Sequence, residues 1–143
     1  MSETKQIEDF ATREFGGLLG EYGYHAEEPV RVDGKTRIDF VKDGIAVEVE
    51  LDWREFFAFV LFVELKDGRL PGGYYVADGK PCRKHLARVI QEQGWKTPPG
   101  PRFERKKVRP SSAAHLNAVL VQYKEQLAAC MSHVDAVGVS IFD

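Results

Sequence analysis

The feature that most constrains the fold is the pair Asp43-Gly44, which separates two stretches of alternating side chains. A two-residue hairpin loop needs backbone conformations that Asp-Gly adopts at little cost, so residues 37–51 are predicted to form a β-hairpin. With Lys42 opposite Ile45, the pairing runs back along both strands to the end of the segment. The turn therefore fixes the register of the whole hairpin.

This register sorts the hairpin into two faces, because successive side chains of a strand point to opposite sides. One face is apolar and carries Ile38, Phe40, Ile45, Val47, Val49 and Leu51. The other, called the charged face below, carries Arg37, Asp39, Glu48 and Glu50. Asp39 is predicted to lie opposite Glu48, and Arg37 opposite Glu50. Opposed carboxylates repel unless a cation, a donor or a proton lies between them.

Two interpretations of the charged face are compatible with the sequence. It could be a solvated outer surface, on which Arg37 and Glu50 form an ion pair and water separates Asp39 from Glu48. It could instead bind a divalent cation, since Mg²⁺ commonly takes one or two carboxylates together with water and phosphate oxygens.

Length and composition favour one globular domain over residues 1–143, large enough to bury a core without disulfides. The N-terminal residues are polar, which argues against a signal peptide, and the longest apolar run, within 54–66, is too short to span a bilayer. We therefore expect a cytoplasmic protein.

The two cysteines, Cys82 and Cys130, are each followed three residues later by a histidine, His85 and His133. Two such pairs could form a tetrahedral Zn²⁺ site. Because free cysteine is among the most buried residue types, we expect ordinary buried thiols at both positions instead.

The first half of the chain is predicted to form a helix followed by antiparallel strands. Apolar residues recur at helical spacing over residues 4–22, and Glu14 lies inside the apolar arc of that helix. Residues 29–32 are predicted to form a short strand before the hairpin. Asp52 is a candidate N-cap for a helix over residues 53–66, whose Phe-rich body would be buried or form a subunit interface.

In the second half, residues 74–77 are predicted to return to the sheet as a parallel strand after that helical crossover. Residues 81–93 are predicted to be a helix that Gly94 ends, with Arg83, Lys84 and Arg88 on its polar surface. Another helix is expected from Ser111 or Ser112 to Met131, and a buried strand over residues 136–142.

Charge is divided unevenly along the chain. Residues 1–79 contain 9 Lys and Arg against 17 Asp and Glu, a net −8, whereas residues 80–143 contain 11 against 5, a net +6. A Pro-rich stretch at 97–101 precedes a basic loop, so phosphate binding or a solvated surface are both possible there. The candidate nucleic-acid-binding residues are Arg83, Lys84, Arg88, Arg102, Arg105, Lys106, Lys107 and Arg109.

The order of helix, three-strand meander, helix and strand, with acidic residues on the hairpin, resembles the PD-(D/E)XK nuclease superfamily. Asp39 matches the Asp of its first motif. Glu48-Val49-Glu50 matches the second motif with Glu where most members have Lys, as in some type II restriction enzymes. The resemblance covers residues 3–78, leaving the basic loop at 97–110 and a C-terminal helix and strand at 111–142.

The resemblance implies an α/β, restriction-endonuclease-like three-layer core, in which helices flank a mixed central sheet containing an antiparallel three-strand meander. It also implies Mg²⁺-dependent (or Mn²⁺-dependent) hydrolysis of DNA. Asp39 and Glu48 would hold the metal, which activates water. Glu50 would orient that water, and Glu14 would be a supplementary acid. A homodimer would allow both strands to be cut. The alternative is a non-catalytic module of this fold that binds nucleic acid or a protein partner.

Overall fold

The computed structural model describes residues 2–71, 80–102 and 113–143, together with the backbone of residues 76–77. The fold is mixed α/β, with an open antiparallel sheet and three α-helices in the described part of the chain. The elements are α1 (Glu3–Gly20), β1 (His25–Ala26), β2 (Val30–Val32), β3 (Lys35–Lys42), β4 (Ile45–Asp52), β5 (Phe57–Glu64), β6 (Val76–Ala77), β7 (Lys80–Pro81), β8 (Arg83–His85), α2 (Leu86–Gln93), α3 (Ala113–Val137) and a terminal 3₁₀ helix (Gly138–Phe142).

The main sheet has the strand order β1-β3-β4-β5-β8, and β2 pairs with β3 on the same edge as β1. Strands β3 and β4 form the predicted hairpin in the predicted register. Lys42 pairs with Ile45, Asp39 with Glu48, and Arg37 with Glu50. The predicted register is therefore confirmed at each of these positions. The Asp43-Gly44 turn sets this register, because a shift by one residue would turn the apolar side chains to the charged face.

The apolar face of the hairpin packs against the helices. Its six predicted core residues are all buried, at 0–4% exposure. They join one cluster with residues of all three helices, among them Phe15 of α1, Leu86 of α2 and Leu120 of α3. The predicted first helix is confirmed as α1. The described helices therefore contribute to a single layer, where helices on both faces of the sheet were expected.

The helix predicted over residues 53–66 is wrong. Asp52 does accept backbone hydrogen bonds from Arg54 (3.0 Å) and Glu55 (3.1 Å), as an N-cap would. The turn ends at Phe56, whose φ of 52° is left-handed and stops helix propagation. The following Phe-rich run is strand β5, in which all eight residues pair with β4. An apolar run without alternation fits a strand buried on both faces equally well. The side chains of β5 are therefore mostly buried, on both faces of the sheet.

Three further expectations are corrected. Residues 83–85 form a strand instead of the first turn of the helix predicted over 81–93, although Gly94, with φ of 72°, does end α2. The described strands pair only in antiparallel fashion, so the parallel step of the expected mixed sheet is not seen among them. The C-terminal strand predicted over 136–142 is the end of α3 and the 3₁₀ helix.

No described helix is long and apolar enough to cross a membrane.

Candidate functional site

The charged face is buried where its two carboxylates meet. Asp39 is 3% exposed and Glu48 is 1% exposed, and the two lie directly opposite on β3 and β4. We call them the acid pair. The interpretation of a solvated outer surface is therefore wrong for these two side chains. A buried carboxylate needs a compensating charge or a donor.

Arg83 provides that charge. Val63 of β5 pairs with both Ala46 of β4 and Arg83 of β8, so Arg83 projects on the same face as Glu48. Its Nε donates to Glu48 Oε2 (3.4 Å) and its second terminal nitrogen donates to Oε1 (3.2 Å). With Arg83 at 4% exposure, this is a buried, two-pronged ion pair. The prediction that Arg83 lies on the polar surface of a helix is wrong.

The surroundings of Asp39 raise the pKa of its carboxyl group and so favour the protonated form. Burial is the main cause, followed by the negative charge of Glu48 and a hydrogen bond to it, and together they raise the pKa of Asp39 to about 8. Arg83 and Arg37 act in the opposite direction. Within the described part of the chain, the buried Oδ1 atom of Asp39 has no hydrogen-bond partner. The cluster therefore combines two opposed carboxyl groups with one guanidinium.

Glu50 lies at the half-buried end of the charged face. Burial raises the pKa of its carboxyl group, and the nearby positive charge of Lys35 opposes that shift. Its Oε2 lies 3.7 Å from Nζ of Lys35. Arg37 stands opposite Glu50 in the register, but within the described part of the chain the ion pair of Glu50 is formed with Lys35. Glu50 projects on the same face as Glu48, two residues further along β4.

Glu14 does not join this cluster. It lies on α1, which packs on the opposite, apolar face of the sheet, and its Oε1 accepts a hydrogen bond from Lys124 of α3 (3.1 Å). That hydrogen bond is the main cause of the lowered pKa of Glu14. Glu14 therefore connects two helices, and the sheet separates it from Asp39.

The candidate nucleic-acid-binding residues are dispersed. Lys84 is buried, donating to Glu92 (2.7 Å) and to the backbone carbonyl of Ile141 (3.0 Å). Arg88 is exposed on α2 and also pairs with Glu92 (2.9 Å). Arg102 is exposed. Four of the predicted residues, Arg105, Lys106, Lys107 and Arg109, lie outside the described residues.

The cysteines and histidines considered for zinc have other surroundings. Cys130 is buried in α3, where its thiol donates to the Gln126 carbonyl (3.3 Å) and burial raises its pKa to about 11. His133 stacks on Trp95, with ring centroids 5.3 Å apart. His85 makes an edge contact with Phe59. Among the described residues, no group of three or more His, Cys, Asp or Glu side chains is placed to hold a metal ion.

A third buried carboxylate, Glu8, was not predicted from the sequence. It lies on α1 at 2% exposure and accepts hydrogen bonds from Arg31 of β2 and from the Thr36 hydroxyl of β3 (2.7 Å). Trp53 Nε1 in turn donates to Thr36 Oγ1 (2.9 Å). Burial opposes ionisation of Glu8, but these hydrogen bonds and the charge of Arg31 outweigh it and lower its pKa. The only sequence signal was a charged residue adjacent to Ile7 on the buried side of α1.

Thr36→Val should test this network. The hydroxyl is fully buried and is both donor to Glu8 and acceptor from Trp53, so its removal leaves two polar groups short of a partner. We expect the free energy of unfolding to fall by about 1–3 kcal/mol in urea titrations. Thr12→Val is the control, because the Thr12 hydroxyl bonds only the carbonyl one helical turn earlier. Equal losses for the two variants would contradict the network.

No family model, curated protein or solved structure matches the chain. The function of the candidate site therefore has to be inferred from the chemistry of its residues. As a Mg²⁺ site the described donor set does not fit, because Arg83 already donates to both oxygens of Glu48.

Proposed function

We propose that this chain is a non-catalytic module that binds a protein partner. The observation that carries the proposal is the ion pair between Arg83 and Glu48, which lies inside the protein together with Asp39. The acid pair is neutralised by the protein's own guanidinium and a proton. Such a cluster acts as part of the core, leaving the exposed surfaces to make the functional contacts.

Hydrolysis of a phosphodiester at the acid pair would require several costly changes. A phosphate would have to reach side chains that are at most 3% exposed. Metal binding would require Asp39 to lose its proton and Glu48 to leave Arg83, and separating a buried ion pair leaves an uncompensated charge. Glu14, the expected supplementary acid, is on the other side of the sheet.

A protein partner is favoured over nucleic acid by the charges of the described surface. Of the four candidate basic residues within it, Arg83 and Lys84 are buried and Arg88 is paired with Glu92. Arg102 alone is exposed without an ion-pair partner among the described residues. Nucleic-acid affinity depends on cations that are free to replace counterions at phosphates. The exposed edge of the sheet, residues 25–34, carries three carboxylates, Glu27, Glu28 and Asp33, against one arginine, Arg31, which is paired with Glu8.

Incubating supercoiled plasmid with Mg²⁺ or Mn²⁺ tests the absence of catalysis. We expect no metal-dependent nicking by the wild-type chain, with a known metal-dependent nuclease as positive control. Asp39→Ala and Glu48→Ala serve as matched variants. Nicking by the wild type that both substitutions abolish would refute the proposal and establish the nuclease.

A metal-dependent DNA endonuclease with a restriction-endonuclease-like core is the second candidate. The observation in its favour is the buried Oδ1 of Asp39, which has no hydrogen-bond partner among the described residues and lies beside a second carboxylate. An incoming cation would satisfy that oxygen. The plasmid assay separates the two candidates. Sedimentation of the same samples tests the homodimer that double-strand cleavage would favour.

A further inference from the structure

One edge of the sheet is open to solvent along β1 and β2. In residues 25–34, called the edge segment below, every residue is exposed except Pro29, which is half-buried. Val30 is 45% exposed and Val32 is 42% exposed, and both side chains project on the charged face. An edge strand with exposed β-branched residues is a surface on which another strand can pair.

The backbone of β2 is oriented for such pairing. Its two-residue turn, Asp33-Gly34, makes Val32 and Lys35 the closing pair of the β2–β3 hairpin. Hydrogen-bonded and non-hydrogen-bonded pairs alternate along antiparallel strands, so the N–H and C=O of Arg31 point away from β3. Pro29 lacks an N–H and limits the edge to a short stretch, which guards against unselective association.

A cavity of about 310 Å³ lies directly beside this edge. Its lining includes Arg31 and Val32 of β2, Asp33 of the turn, Lys35 of β3 and the indole of Trp53. Both cations of this lining are already paired, Arg31 with Glu8 and Lys35 with Glu50. Asp33, whose neighbour Gly34 lies against the Arg54 side chain, forms no ion pair within the described part of the chain and contributes a negative charge at the mouth.

We propose that the edge segment accepts an extended, basic segment of a partner protein by β-strand addition. The inference rests on the proposed function as a protein-binding module. Backbone hydrogen bonds to Arg31 would supply affinity, and a Lys or Arg side chain of the partner would enter the cavity, packing along Trp53 and pairing with Asp33. The exposed carboxylates of Glu27 and Glu28 extend the same negative charge along the edge.

A second copy of this chain is a poorer occupant than a basic segment. Antiparallel pairing of two edge segments would bring the carboxylates of each copy towards those of the other, and like charges across a strand pair are destabilising. Charge complementarity therefore selects a cationic partner.

Titrating an eight-residue, acetylated peptide of alternating valine and arginine into the ¹⁵N-labelled full chain tests the proposal. We expect amide shifts concentrated at Arg31, Asp33 and the Trp53 indole. Asp33→Asn should weaken binding about fivefold, as expected for loss of one partly exposed ion pair. Asn is well tolerated at the left-handed φ of 50° found there, so the turn is retained.

Asp67→Asn is the matched control, because Asp67 also precedes a glycine in a turn, has φ of 53° and is exposed. It should bind the peptide as the wild type does. Equal weakening by both variants, shifts centred on another surface, equal affinity for a valine–glutamate peptide, or a concentration-dependent dimer through the edge would each overturn the inference. Plasmid nicking would refute the proposed function without affecting this binding result, so the two failures are distinguishable.

Discussion

Arg83→Met is expected to lower the free energy of unfolding by about 3–5 kcal/mol, because it leaves the Glu48 carboxylate buried without its counter-charge. Glu48 is 1% exposed and receives two hydrogen bonds from the guanidinium. Methionine replaces much of the aliphatic volume, so loss of charge and not a cavity dominates the effect. Urea titration at neutral pH measures it, and the melting temperature should fall by roughly 10 °C.

Arg88→Met is the control for this experiment. Arg88 is exposed on α2 and pairs with Glu92 one helical turn away, an interaction of about 0.3–0.5 kcal/mol. The double variant Arg83→Met with Glu48→Gln should recover much of the lost stability, since it removes the charge that the single variant leaves uncompensated. If Arg83→Met costs no more than Arg88→Met, the buried ion pair does not stabilise the fold.

The hairpin could be predicted from sequence because its determinants are local. A single Asp-Gly turn and strict alternation place Asp39 opposite Glu48 without any knowledge of the rest of the chain. The same reasoning identified which face is apolar. It could not reveal that the acid pair is buried or that Glu48 is paired with Arg83, because Arg83 is 35 positions from Glu48 in the sequence.

The prediction of a helix over residues 53–66 was wrong for a different reason. The N-cap signal at Asp52 was sound, since its side chain does accept two backbone hydrogen bonds. What followed was one turn and then strand β5, because pairing with β4 outweighed local helical preference. Because the segment predicted as a crossover helix is a strand, the basic residues after Pro81 also lie in a different place from the predicted one. Arg83 and Lys84 thus changed from surface residues to buried partners of carboxylates.

Asp39→Asn is expected to remove most of a pronounced pH dependence of stability. The pKa of Asp39 in the folded protein is raised to about 8, mainly by burial, whereas the unfolded value is about 4. Between these values the folded chain binds a proton that the unfolded chain has released. The contribution of Asp39 is thus fully favourable below about pH 4 and is lost progressively up to about pH 8, at about 1.4 kcal/mol per pH unit.

Asparagine imitates the protonated carboxyl group, since its amide can donate to Glu48 as the neutral acid does. The stability difference between Asp39→Asn and wild type should therefore shift in favour of the variant by several kcal/mol between about pH 4 and pH 8. Urea titrations across this range measure it. Asp43→Asn, at the exposed hairpin turn, is the control and should leave the wild-type slope unchanged. Parallel pH profiles for wild type and Asp39→Asn would mean that Asp39 is ionised in the folded protein. A divalent cation could then compete for the acid pair, and the endonuclease would become the better explanation of this cluster.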